Sequence, residues 1–360
     1  MNQSETQNEK TRRLLTEHFA SYPKLQAEDI FKFLYQSAFG CEHLVSCEDD
    51  ALTYIEAEYK TVSKTEKPRT EALDGDYSRV FLSHLNSSLS ARTLARLFSL
   101  SAKKEEAGKE RLEFALSVAR GLVFSGVLPF DVASFEQKIR LWRDAGYPPV
   151  RHSATFRQEY RPAYRVIANA YAKFLPLFSK IDEKLSCGRA VVAIEGGSAS
   201  GKTTLSELLR RVYECNVIHA DDFFLRPEQR TSARFAEVGG NFDRERFSSE
   251  VVQGILKKEE FSYRPFDCSS QSLGEEIRLE PKPLTIVEGV YSTHPFFDRY
   301  YDFSVFLDID EEIRKSRIQK RNSPPLAKRF FEEWIPYENV YFEKTDIKGR
   351  SDLVLGQGLM

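Results

Sequence analysis

The sequence predicts two domains, an all-helical one over residues 1–185 and an α/β one, a parallel doubly wound sheet, over residues 186–360. Three observations carry this. The 360 residues exceed what one hydrophobic core usually organises, about 100 to 200 residues per domain. Through the first half, apolar residues recur at spacings of three and four, the period of a helix face. Beyond SKIDEKLSCGR, residues 179–189, they gather into short continuous runs separated by helical stretches, the pattern of strands buried on both faces.

In the helical half, Ile30, Leu34 and Ala38 form one stripe, closed by Gly40. Leu52, Ile55 and Tyr59 form another behind Glu48, Asp49 and Asp50, whose charges complement a helix N-terminus. Leu94, Leu97 and Phe98 continue the pattern, and Leu112, Leu116, Ala119 and Val123 repeat it. Phe135, Ile139 and Trp142 extend it to Gly146, just before Pro148 and Pro149. Thr61 to Ser78, with Pro68 and Gly75, reads as an exposed loop. In the second half AVVAI from 190, NVIHA from 216, LTIVEG from 284, FSVFLDI from 303 and DLVL from 352 read as strands. Strands alternating with helices imply a parallel sheet whose ligands sit beyond the carboxyl ends of the strands.

Composition narrows the function. Lys and Arg number 52 against 54 Asp and Glu, a net charge of −2, with 41% hydrophobic residues, the balance of a soluble globular protein. A bulk electrostatic grip on nucleic acid or anionic lipid is not expected. No apolar run approaches the roughly 18 residues of a membrane span, and the start MNQSETQNEKTRR has no stretch that could serve as a secretion signal, so the expected location is cytoplasmic. Cys41, Cys47, Cys187, Cys215 and Cys268 are odd in number and too dispersed for a Cys-x-x-Cys pair, and read as reduced thiols that mostly pack.

The chemistry sits at the strand ends. GGSASGKTT supplies Gly196, Gly197, Ser198, Ala199, Ser200, Gly201, Lys202, Thr203 and Thr204, and satisfies the phosphate-loop pattern G-x-x-x-x-G-K-[ST]. Glycines let the backbone wrap an anion closely, and the loop amides with the next helix's N-terminus supply positive partial charge. Lys202 adds a mobile cation for the terminal phosphates, and Thr203 a hydroxyl for Mg²⁺. HADDFF places Asp221 and Asp222 one βαβ step away, where a carboxylate can accept a proton from an attacking alcohol, hold Mg²⁺ through water, or merely cap the next helix. Glu288, ending VEG, can order a metal's water shell. Arg314, Arg317 and Arg321 share a helix face, as lid arginines over a phosphoryl group or as a solvated face laced by Glu311 and Glu312. No guanine-reading [NT]-K-x-D or LSGGQ motif occurs, so chemistry on a small acceptor fits better than switching or mechanical work.

These motifs, with GGNFDRERF, YRPFDC, TIVEGVY and RKSRIQKRN, resemble the uridine kinase and phosphoribulokinase group of P-loop kinases; IHADDFFLRP is also similar to nicotinamide riboside kinases. The resemblance spans roughly residues 188–356. It implies transfer of the γ-phosphate of ATP, with Mg²⁺ on Thr203 and Glu288, to a hydroxyl of a nucleoside or similar riboside. Asp221 would be the general base, Lys202, Arg317 and Arg321 the catalytic cations, and Arg314 a nucleotide contact. Asp222, Asp243, Phe266 and Gln271 would meet the acceptor, although Gln271 stands where a base-reading His is usual and Cys268 replaces an aromatic. A sugar alcohol or vitamin as acceptor, and an ATP-gated binding or regulatory protein, remain open readings, as does a homo-oligomer. In the helical half Arg151, His152, Arg157, Arg161 and Arg165 read as a solvated face sooner than an anion site, since Pro162 interrupts their spacing, and His43 reads as a packed histidine.

Overall fold

A computed structural model describes residues 5–41, 47–102 and 107–356, and divides the chain into two units, Met1–Lys180 and Ile181–Met360. His43 lies outside the described residues.

The first unit holds α1 (Gln7–Ser21), α2 (Ala27–Phe39), α3 (Glu48–Tyr59), α4 (Ala91–Ser101), α5 (Gly108–Phe124), α6 (Val132–Asp144), α7 (Ala154–Tyr160) and α8 (Asn169–Ala172). The last helix, α9 (Leu175–Leu185), runs across the division. The stripes read from the sequence face inward: Ile30, Leu34, Ile55, Leu94, Leu97, Leu112, Leu116, Phe135 and Ile139 are buried. Thr6 and Glu9 cap α1 reciprocally, and α2 ends at Gly40, whose φ of +61° and 2.5 Å clearance to the Tyr77 ring leave no room for a Cβ.

The unit is not all-helical, as the sequence pattern suggested. β1 (Thr70–Ala72), β2 (Tyr77–Phe81) and β3 (Tyr164–Ala168) form an antiparallel sheet in that order, with Val80 opposite Arg165. β2 is buried at every position and carries Arg79 at its centre, so it shows no period-two alternation. The segment read as an exposed loop thus contains β1 and the start of β2.

The second unit is a five-stranded parallel sheet of β4 (Ala190–Glu195), β5 (Cys215–His219), β10 (Leu284–Glu288), β11 (Phe303–Asp308) and β12 (Leu353–Gly356), in the order β12-β11-β4-β10-β5. All five predicted runs are strands. Two small antiparallel pairs sit apart, β6 (Phe261–Tyr263) with β9 (Ile277–Leu279), and β7 (Phe266–Asp267) with β8 (Ser272–Leu273). β10 lies between β4 and β5, so the acids after β5 are separated from the phosphate-loop strand by the strand that ends in Glu288. Local periodicity does not encode strand order, so this insertion of β10 was not legible in the sequence. All five cysteines are free, but only Cys41 and Cys215 are buried, so packing accounts for two of them. Among the described residues no helix is long and apolar enough to cross a membrane.

Candidate active site

β4 delivers the chain into the phosphate loop, and α10 (Lys202–Val212) leaves it. The turn takes positive φ at Gly196 (+143°), Ala199 (+59°) and Gly201 (+103°). At Gly197 a Cβ would stand 2.1 Å from Arg314 Nη1, so a side chain there would push that guanidinium aside. Lys202 is buried and its ammonium donates to the carbonyls of Gly196 and Gly197 at 2.8 and 3.0 Å. Ser200 Oγ is buried with no hydrogen-bond partner. Thr203 and Thr204 are exposed on the first turn of α10.

Because β10 lies beside β4, Glu288 reaches the loop: its Oε1 accepts from the Thr203 hydroxyl at 2.9 Å and lies 2.6 Å from His219 Nδ1. Burial opposes ionisation of Glu288, but the bond to His219 and the charge of Lys202 outweigh it and hold its pKa below the ordinary value. The same bond raises the pKa of His219 against its burial.

After β5 a 3₁₀ turn, Ala220–Phe223, presents both acids. Asp221 is exposed in this turn. Desolvation there lifts its carboxyl above the usual range, opposed by Lys202 and assisted by the charges of Glu288, Glu338 and Asp222. Desolvation raises Asp222 too, against the charge of His219, and its Oδ2 accepts from Tyr263 OH at 3.1 Å.

Asp243 is held against this turn, its amide donating to Phe223 O at 2.7 Å. It is 1% exposed; Oδ1 accepts the Arg246 amide at 3.2 Å, while Oδ2 has no hydrogen-bond partner and faces Arg226 and Arg246 at 3.9 and 3.8 Å. Phe266 is buried in β7. Gln271 does not join these groups: it occupies a left-handed position (φ +55°) in the exposed turn between β7 and β8, and its amide donates to Cys268 O at 2.6 Å.

The arginine helix Glu311–Arg321 places its cations on the carbonyl side of the loop. Arg314 donates to Ser198 O at 3.3 Å and Arg317 to Ala199 O at 3.1 Å. Arg321 is exposed and its guanidinium lies over Phe330, 5.9 Å from the ring centroid; no bond from it to the loop is found among the described residues.

The sequence reading missed three groups here. Glu195, fully buried at the end of β4, accepts from the amides of Tyr291 and Thr293 at 3.1 Å and from Tyr341 OH at 3.3 Å. Burial pushes its carboxyl up to about 7, against the Thr293 amide and Lys202. Its one signal was a charge closing an apolar run. Glu338 and Tyr341 project from one face of the helix Ile335–Thr345. Glu338 accepts the Ser198 amide at 2.9 Å, binds the Ser198 hydroxyl, and lies 3.4 Å from Arg314 Nη1. Nothing local in the sequence marks it.

The parallel sheet, the phosphate-loop sequence and the acids at the ends of the neighbouring strands fit a P-loop kinase fold. The chain is 29% identical over 144 residues to a uridine kinase of Leuconostoc citreum, covering 37% of this chain and 68% of that one. It is 25% identical over 185 residues to a uridine kinase of Anoxybacillus flavithermus, covering 47% and 86%. A solved structure described as a possible uridine kinase from Bacillus stearothermophilus overlaps 50% of this chain and 99% of its own, at 21% identity and a TM-score of 0.37. No protein-family model matches the chain. The C-terminal half is thus similar in sequence to uridine kinases, and each of these three matches leaves half of the chain or more without a counterpart.

Proposed function

We propose that the carboxyl-terminal unit transfers the γ-phosphate of ATP to a hydroxyl of a nucleoside or similar riboside. The observation that carries the acceptor is Asp243: a buried carboxylate oxygen with no hydrogen-bond partner, tied by its own backbone to the turn that presents Asp221. Such an oxygen calls for a donor, and a vicinal diol supplies two. The uridine kinases among the similar proteins support a riboside.

ATP and Mg²⁺ fit the residues present. The loop from Gly196 to Thr204 takes positive φ at Gly196, Ala199 and Gly201, its Ser198 amide already donates to a carboxylate, and the Lys202 ammonium lies inside it hydrogen-bonded to loop carbonyls. Thr203 and Glu288 would hold Mg²⁺, which when bound neutralises phosphate charge. Asp221, desolvated and therefore more basic than a free carboxylate, takes the proton of the attacking hydroxyl. Asp243 orients the sugar and Tyr263 fixes Asp222 beside it. Arg314 and Arg317 stiffen the loop by bonding its carbonyls, so that its amides stay aimed without reorganisation. Catalysis in this reading is positioning and charge neutralisation, with nothing covalent asked of the protein.

The test compares kcat/KM for a ribonucleoside, its 2′-deoxy form and a free sugar alcohol. A diol-binding Asp243 predicts a ribo preference of roughly 5-fold to 150-fold, the cost of an unpaired buried acceptor. Equal rates would remove Asp243 from the sugar site, and ATP binding with no transfer to any alcohol would remove the kinase reading.

A further inference from the structure

We infer a second ligand site, in the amino-terminal unit, that takes the phosphate group of a small phosphomonoester. It is a cleft of about 350 Å³, within the range of small-molecule sites, walled by Tyr22, Phe81, Tyr160 and Ser83, with Arg69 and Arg161 also lining it. The inference does not rest on the activity proposed for the other unit.

Charge comes first. Several arginines of this unit are paired: Arg165 with Glu58 at 2.7 Å, Arg143 with Glu113 at 2.7 Å, Arg120 with Glu136 at 2.5 Å. Arg69 and Arg161 are exposed, and neither has a carboxylate partner among the described residues. One carboxylate, Glu66, also lines the cleft, leaving a net charge of 2 − 1 = +1. The sequence pattern favoured a solvated face for the arginines near 160; the structure separates them, committing Arg165 to an ion pair and Arg161 to the cleft.

The Arg69 guanidinium is placed in advance of any ligand. Arg69 lies 4.5 Å from the Phe81 ring centroid and donates from Nη2 to Tyr22 OH at 2.6 Å, which leaves most of its five N–H groups for a ligand. Arg161 ends α7 at φ +42° and ψ 58°, a conformation that suits glycine or asparagine and strains an arginine.

The wall behind Arg69 is rigid for an electrostatic reason. Tyr22, 5% exposed, donates to Glu71 at 3.4 Å, and Glu71 pairs with the wholly buried Arg79 at 3.2 Å and with His18 at 2.5 Å. Arg79 continues to Gln36 at 2.9 Å, and Gln36 accepts from Tyr164, which lies 2.7 Å from His152, itself paired with Asp29 at 2.9 Å. Replacing so many buried charges by apolar side chains is often neutral or stabilising, so a network of this size serves specificity of shape before stability. Ser83 Oγ, on the cleft wall, is buried and unpartnered, a further polar atom in want of a ligand or water. Two forks reaching from residues far apart in sequence match a tetrahedral, three-oxygen phosphate better than a planar carboxylate, and the aromatic walls offer a face to the organic part.

The experiment titrates ribose 5-phosphate, inorganic phosphate and ribose into the full chain carrying Lys202→Ala, which silences the phosphate loop, with calorimetry as the readout. Ribose 5-phosphate is expected to bind and ribose not to. Arg69→Ala and Arg161→Ala, both at exposed positions, should each weaken binding at least about ten-fold. A tungstate soak should place an anomalous peak between the two side chains. Affinity unchanged in both variants, or no phosphate binding outside the phosphate loop, overturns the site. Equal affinity for ribose 5-phosphate and inorganic phosphate overturns the phosphomonoester in favour of the free ion.

Discussion

Glu71, its side chain 13% exposed, and Glu195, fully buried, are carboxylates one in each unit, and they are perturbed in opposite directions. Burial opposes ionisation of Glu71, yet Arg79 and His18 outweigh it and hold it down to about 2. Glu195 has backbone amides and hydroxyls around it but no guanidinium bond, and burial pushes it up to about 7. The contrast extends to their surroundings. In the Asp29-to-Glu71 network each carboxylate oxygen is spent on a protein donor, and the atoms left short are donor-side nitrogens, His18 Nε2 and Arg79 Nη2. The phosphate-loop site leaves Ser200 Oγ and Asp243 Oδ2 buried and unspent, and Lys202 with carbonyls alone. Groups satisfied internally fix a shape, whereas groups left short of partners await a ligand.

That contrast breaks first at Lys202. Lys202→Ala should abolish ATP-dependent transfer in a chain whose denaturation midpoint is little changed, because its ammonium faces carbonyls that solvent or neighbours can satisfy; turnover at the parent rate would show that the loop is not the nucleotide site. Asp221→Asn should lower kcat by roughly 10² or more while leaving ATP affinity. Asp222→Asn should do less, since Tyr263 already engages it; the reverse ranking would exchange the two roles.

In the other unit the same kind of change should act on stability. Glu71→Gln strands Arg79 in the interior, at a cost of roughly 3 to 5 kcal/mol measured by chemical denaturation. A loss below about 1 kcal/mol would mean that water replaces the carboxylate, and the network would not be closed.

Acid and base sharpen the comparison last. Glu71, lowered to about 2, contributes stability present above its ordinary 4.5 and lost as pH falls toward 2. His152, lowered to about 4 by burial, contributes stability present above 6.5 and lost as pH falls through 4. Glu195 runs the other way: its contribution is whole below 4.5 and lost as pH rises through 7. Glu195→Gln should therefore flatten a stability profile between about pH 4.5 and pH 7 and leave the arm below 4.5. An unaltered slope across that window would show that its hydrogen bonds keep Glu195 ionised throughout.

The sequence by itself determined whatever depends on contiguous residues. Strands and helix stripes follow from local period, and the phosphate loop follows from glycines at fixed offsets, since a positive φ is decided by the residue that adopts it. Gly196, Asp221 and Glu288 were legible because each sits at a strand end, and Lys202 and Thr203 because the glycines fix their offset at the start of the next helix. Tertiary structure alone decided which strands are neighbours, and so put Glu288, not Asp221, beside the loop. It alone made β1, β2 and β3 a sheet around the buried Arg79, spent Gln271 on its own turn, and turned Arg321 onto Phe330. It also set Glu338 on Ser198 across 140 residues and gathered Arg69 and Arg161 into one cleft. These are pairings between side chains far apart along the chain. No local period records them, because the free energy that selects them is that of burying and matching groups that meet only once the chain has folded.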